Sequence, residues 1–159
     1  MRSMTDMTKE YETSYQEAKE YALRSLTCRE QTEHQLSEKL RRREYSPEVI
    51  RAVIEFLKEY NYINDERFLE QYIASHCHRM NRFQLEQKLY TLGFRQLRLD
   101  EYLSTYDYDE ERLLSTEFDS YTRKKDLSDP MVRKKVTAHF MKKGFSYSMI
   151  SGLIHCQDV

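Results

Sequence analysis

Five apolar positions recur three times along this 159-residue chain with one internal spacing. They read Leu36, Leu40, Tyr45, Ile50, Ile54, then Leu85, Leu89, Phe94, Leu99, Leu103, then Val136, Phe140, Phe145, Ile150, Ile154. The steps are four, five, five and four residues in each copy, and successive copies lie 49 and 51 residues apart. A fixed period of that size means that one supersecondary unit is stacked, each copy burying its apolar face against a neighbour. Steps of four keep side chains on one helical face, and the aromatic between them marks a short turn joining two helices.

The rest of the sequence agrees with an all-α chain. There are three Gly and two Pro, and both prolines follow a helix-capping residue, in Ser46-Pro47 and Asp129-Pro130. Gly93 and Gly144 stand directly before the repeated aromatic, where glycine closes a helix. Glycine-rich turns between alternating strands are absent, so the expected fold is three tandem three-helix repeats in an elongated array. The expected boundaries are a flexible arm over 1–14 and repeats over 15–63, 64–107 and 108–159. The first helix is expected over Tyr15–Cys28, with Ala18, Ala22 and Leu26 on one face. Thr32 with Gln35 reads as a capping box for the second, and Ser46-Pro47-Glu48 starts the third. Leu40, Ile50, Ile54, Leu89, Leu99, Leu103, Phe140, Ile150 and Ile154 are expected in the core.

Net charge is −1, but the charges are segregated. Between Asp100 and Asp119 there are eight acidic residues against Arg112; between Arg123 and Lys143 there are eight basic residues against Asp126 and Asp129. Asymmetry of this kind bears on partner choice more than the total does. The polar, acidic N-terminus lacks the apolar core of a secretory signal, and no run reaches membrane-spanning length. Cys28, Cys77 and Cys156 are odd in number and widely spaced, which suits reduced, partly buried thiols and a cytoplasmic location.

Catalytic machinery is not legible. No glycine-rich phosphate loop occurs, and no Ser or Cys sits in a nucleophile elbow. In His76-Cys77-His78 the two histidines point to different helix faces, so they close poorly on one ion. No catalytic residue, metal or cofactor is expected. Basic residues around aromatics are the stronger theme: Arg42 and Arg43 near Tyr45, Arg79, Arg82, Arg95 and Arg98 around Phe83 and Phe94, and Lys134, Lys142 and Lys143 leading to Phe145. These nine cations end or flank the middle helices and could track a phosphate backbone or an acidic protein groove. The aromatics belong to the repeat pattern, which makes them core rather than base-stacking platforms. Asp65 and Arg67 lie two apart, cannot pair within a helix, and are each free to reach another one.

Taken together, these residues resemble the RecX family of recombination regulators, over about Ala22 to Ile154. Arg29-x-x-Thr32-x-x-Gln35-Leu36 resembles the family's opening Arg-x-x-Ser-x-x-Glu-Leu. Tyr62-Ile63-Asn64-Asp65-Glu66-Arg67-Phe68 resembles its junction between the first and second repeats, the most specific segment. Leu89-x-x-x-Gly93-Phe94 and Phe140-x-x-Lys143-Gly144-Phe145 resemble its paired helix-closing elements. Leu92 stands where Lys is usual, Lys88 where Glu is usual, and Asn81 where Gly is usual. The resemblance implies a non-enzymatic protein that lies in the groove of the RecA recombinase filament on single-stranded DNA, and a monomer is expected. It would there suppress filament extension, ATP hydrolysis and strand exchange, with direct DNA contact left open. A helix-turn-helix DNA-binding protein would need one helix of exposed base-readers and usually a dimer. A generic helical scaffold would have shorter repeats.

Overall fold

The computed structural model describes residues 1–158 and contains nine α-helices and no strand among them. They are α1 (Met4–Cys28), α2 (Glu33–Arg42), α3 (Pro47–Glu59), α4 (Asp65–His76), α5 (Arg82–Thr91), α6 (Leu99–Leu103), α7 (Glu110–Thr122), α8 (Pro130–Lys143) and α9 (Tyr147–Cys156). The chain divides within α4 into two compact units, Met1–Gln71 and the part from Tyr72 onward.

In the first unit, α1, α2 and α3 pack on one another around Ala18, Ala22, Leu36, Leu40, Val49, Val53, Ile54, Leu57 and Ile63. In the second, α7, α8 and α9 enclose Leu114, Phe118, Val136, Phe140, Phe145, Ile150 and Ile154, while Leu85, Leu89, Leu99 and Leu103 of α5 and α6 are also buried. Eight of the nine expected core residues are therefore inside. Ile50 is the exception, half-buried because Val49, Val53 and Leu57 form the inward stripe of α3 and rotate Ile50 to its edge.

The repeated five-residue step has a concrete geometry. Tyr45, Phe94 and Phe145 each donate the backbone N–H to the carbonyl five residues earlier, on Leu40, Leu89 and Phe140, at 3.4, 3.0 and 3.2 Å. The residues just before them, Glu44, Gly93 and Gly144, donate to Arg41, Tyr90 and Met141 at 2.9, 3.1 and 3.0 Å. This is the Schellman closure, whose apolar contact pairs those same two positions, so the spacing of the pattern is the spacing of a helix terminator. The closure requires a left-handed residue, and all three repeats supply one: φ is +63° at Glu44 and +106° at both glycines. Glu44 is strained by its Cβ where the other repeats use glycine. Glu44→Gly should raise stability by about 0.5–1 kcal/mol, the relief being partly offset by the added chain entropy of glycine. Urea titration checks this, and a loss of stability would show that Glu44 contributes something beyond the turn.

The repeats differ where their caps differ. Ser46 and Ser146 accept the N–H of Val49 and Met149 and start α3 and α9 directly after the aromatic. Arg95 holds the equivalent place in the second repeat, and a guanidinium cannot accept from an amide. Helix α6 accordingly begins only at Leu99 and runs five residues.

Two further expectations need correction. The helix begins at Met4, so most of the arm expected over 1–14 continues α1; no Pro or Gly interrupts Met4–Ser14, and helix formers such as Met, Lys and Glu carry it on. Of the cysteines only Cys77 is buried, its thiol pushed above the usual range by burial, whereas Cys28 and Cys156 are exposed.

Candidate functional site

Two junctions are fastened in the same way. Asp65, the first residue of α4, accepts the N–H of Glu33, the first residue of α2, on Oδ1 at 2.8 Å. Glu110, the first residue of α7, accepts the N–H of Arg82, the first residue of α5, on Oε1 at 2.9 Å. Each carboxylate thus satisfies an orphan amide at a helix start and sits in the favourable field of that helix end. Asn64 and Asp109 cap the helices that carry these carboxylates, accepting from Arg67 and Arg112 at 3.0 and 2.9 Å. Arg67 Nε donates to Glu30 Oε1 at 2.8 Å, just ahead of the Thr32–Gln35 capping box. Arg112 instead turns to Asp107, at 3.1 Å. Truncating either carboxylate, by Asp65→Ala or Glu110→Ala, should cost about 1–2 kcal/mol, as loss of a helix cap does. Denaturant titration of both variants reads this, and a loss below about 0.3 kcal/mol at either site would remove the fastener there.

The second unit has one more fastener. The Asn81 side chain caps α5 in a capping box with Gln84 and also donates from Nδ2 to the Lys143 carbonyl at 2.9 Å, joining α5 to the end of α8. Its departure from the usual glycine is thus a structural gain.

The nine candidate cations divide by what holds them. Arg82 is engaged at three donor groups: its backbone as above, Nε with Glu86 at 3.1 Å, and Nη1 with Asp100 at 2.5 Å. Its hydrogen bond holds the Asp100 carboxyl below the ordinary carboxylate range. Lys143 pairs with Glu117 at 2.9 Å and Arg98 with Glu101 at 2.8 Å. Arg43 lies 3.9 Å over the Tyr21 ring and Arg95 5.0 Å over Tyr90, contacts that leave the charge uncompensated. Arg42, Arg79, Lys134 and Lys142 are exposed, and Arg79 Nη2 donates only to the Ser75 carbonyl at 3.4 Å. Six of the nine therefore make no ion pair among the described residues: Arg42, Arg43, Arg79, Arg95, Lys134 and Lys142. In the first unit they cluster at the end of α2.

No group of three His, Cys, Asp or Glu side chains among the described residues could hold a metal ion, and no helix there is long and apolar enough to cross a membrane. His76 stacks on Tyr72 with ring centroids 4.1 Å apart, its Nδ1 2.8 Å from the Tyr72 carbonyl.

Comparison with known proteins bears on what this arrangement is for. Residues 18–57 match the family described as RecX, first three-helix domain. Regulatory protein RecX of Clostridium acetobutylicum is 26% identical over 150 residues, which cover 90% of this chain and 70% of that protein. The protein of the same name from Clostridioides difficile is 29% identical over 151 residues, covering 89% and 68%. These matches support a RecX-family protein. The crystal structure of RecX from Lactobacillus salivarius superposes with a TM-score of 0.73 at 19% identity, over 92% of this chain and 97% of that one, which shows a shared fold. The RecX relatives are regulatory proteins by name.

Within this chain the residue that sequence reasoning missed is Glu110. The signal was present: Asn64-Asp65-Glu66-Arg67-Phe68 recurs as Asp109-Glu110-Glu111-Arg112-Leu113. It lies 45 residues on, out of step with the apolar period, because the short α6 abbreviates the second repeat.

Proposed function

We propose that this chain is a non-enzymatic regulator that binds a RecA-type recombinase filament on single-stranded DNA and inhibits its extension, ATP hydrolysis and strand exchange. The match to the RecX family carries the reading. The uncompensated cations Arg42, Arg43, Arg79, Arg95, Lys134 and Lys142 are the contact residues, because a cation already spent on an internal carboxylate has less to gain from a partner. Arg82, Arg98 and Lys143 then serve the fold first. Asp65 and Arg67 act indirectly, by setting how α4 leaves the first repeat. The chain works as a monomer in the cytoplasm, without cofactor.

The test is RecA ATPase on single-stranded DNA with and without the protein. The wild type slows hydrolysis, and inhibition weakens as salt rises because the contacts are charge-based. The double variant Arg79→Glu/Arg95→Glu leaves the internal ion pairs intact and should need at least about tenfold more protein for half-inhibition, an effect within the range of lost interfacial charge contacts. Unchanged inhibition by that variant removes the second repeat from the contact surface. No effect of wild-type protein on RecA of its own species, at micromolar excess, sinks the reading.

A further inference from the structure

Helix α1 carries its apolar stripe beyond the bundle it belongs to. Ala18 and Ala22 are buried and Tyr15 is half-buried; the same stripe continues outward through Tyr11, Met7 and Met4, which are 44, 59 and 87% exposed. Isolated exposed apolar residues are ordinary, but three in register with a core stripe form a continuous face. Met7, Tyr11 and Ser14 on one side and Tyr45, Ser46 and Val49 on the other line a groove of about 500 Å³. Three of its wall residues are a methionine and two tyrosines, Met7, Tyr11 and Tyr45, side chains suited to adaptable contact.

Carboxylates outnumber cations along the borders of this face. Glu10 and Glu44 line the groove, and helical spacing sets Glu17 along the same edge of the stripe as Glu10 and Glu12 along the other, where Lys19 is turned onto the Tyr15 and Phe56 rings. The one cation in the lining, Arg2, is held by Glu10 at 3.1 Å, both side chains being mostly exposed. A second copy laid two-fold on this face would bring carboxylate borders together, and a nucleic acid would bring phosphates to them; both are repelled. A basic partner is attracted.

We propose that the groove docks an amphipathic helical segment of a partner protein, with aliphatic side chains on one face and Lys or Arg on its flanks. Met4 to Ser14 rises about 16 Å, which matches about three turns of such a segment. None of the groove's lining residues is among the six cations assigned to the recombinase filament, so the two readings are tested by different variants.

The probe is a fluorescein-labelled helical peptide of about 14 residues, with Leu at positions i, i+3, i+7 and i+10 flanked by Lys, titrated with the full chain and read by anisotropy. A second peptide has every Lys replaced by Glu. The Lys peptide should bind at least about tenfold tighter than the Glu peptide. The variants Met7→Ser/Tyr11→Ser and Glu12→Lys/Glu17→Lys should each lose at least about tenfold of that affinity, the first through the stripe and the second through its borders. Circular dichroism verifies the fold, and the second variant, confined to exposed positions, keeps the test valid if the first unfolds. Equal binding of the two peptides, or wild-type binding by the charge-reversed variant, overturns the proposal. So does a wild-type dimer in sedimentation velocity that Met7→Ser/Tyr11→Ser dissolves, which would assign the face to a second copy.

Discussion

Phe140→Ala should cost about 3–5 kcal/mol, the largest loss expected from truncating any one side chain here. Phe140 is fully buried, and it is where the aromatic contacts of the second unit converge. Phe118 lies 5.8 Å away, Tyr121 5.5 Å and Phe145 6.1 Å, centroid to centroid, the last two edge-on. Edge-to-face geometry adds to the area term, so several such contacts disappear with one ring. The cavity would be walled by α7, α8 and the turn into α9, and relaxation is limited because the Phe140 carbonyl also anchors the Schellman closure. The equivalent Leu89→Ala should cost about 2–5 kcal/mol, since a leucine fills less volume. Urea titration of both variants decides the matter. A loss well under about 1 kcal/mol at Leu89 would mean that the repeat phase is misassigned, and one under about 2 kcal/mol at Phe140 would mean that the neighbouring rings collapse into the space.

The core was legible because burial follows periodicity, and periodicity is written in the sequence. Leu36, Leu40, Leu85, Leu89, Val136 and Phe140 needed only their spacing. The turn was legible at Gly93 and Gly144, where the residue type declares the backbone. At Glu44 nothing in the residue type announces a positive φ, and only alignment of the three repeats reveals it. The extent of α1 was hidden for another reason. Its first three turns bury nothing: Met4, Met7 and Tyr11 continue the stripe but stay exposed, so no core contact marks where the helix begins and propensity carries these turns. The charged residues were the least legible. Arg79 and Arg82 look alike in sequence, yet one is exposed with a single long bond to a carbonyl and the other bridges two carboxylates. Whether a cation is spent internally depends on which helices meet at its position, and composition carries no record of that. The junction carboxylates fall between these cases: Asp65 was flagged by its spacing to Arg67, while Glu110 became visible only when its amide partner on α5 was in view.

Gly144→Ala should be nearly as damaging as losing a core ring, for two separable reasons. The backbone there has φ of +106°, outside the small left-handed basin that a side chain tolerates, and adopting it with a Cβ costs about 1–2 kcal/mol or more. The added Cβ would also meet Phe83, at 2.5 Å from Cδ1 and 2.7 Å from both Cβ and Cγ. The ring atoms can swing away, since Phe83 is about half exposed, but its Cβ is fixed to the backbone of α5. The start of α5 must therefore move, and the Asn81 bond to the Lys143 carbonyl lies in its path. Overpacking of this kind adds about 1–3 kcal/mol, for a total of about 2–5 kcal/mol. A double-mutant cycle with Phe83→Ala separates the two parts: removing the ring should return some of the packing loss and none of the backbone loss. Strict additivity of Gly144→Ala and Phe83→Ala would show that the ring contact carries no energy and that the whole cost lies in the left-handed turn.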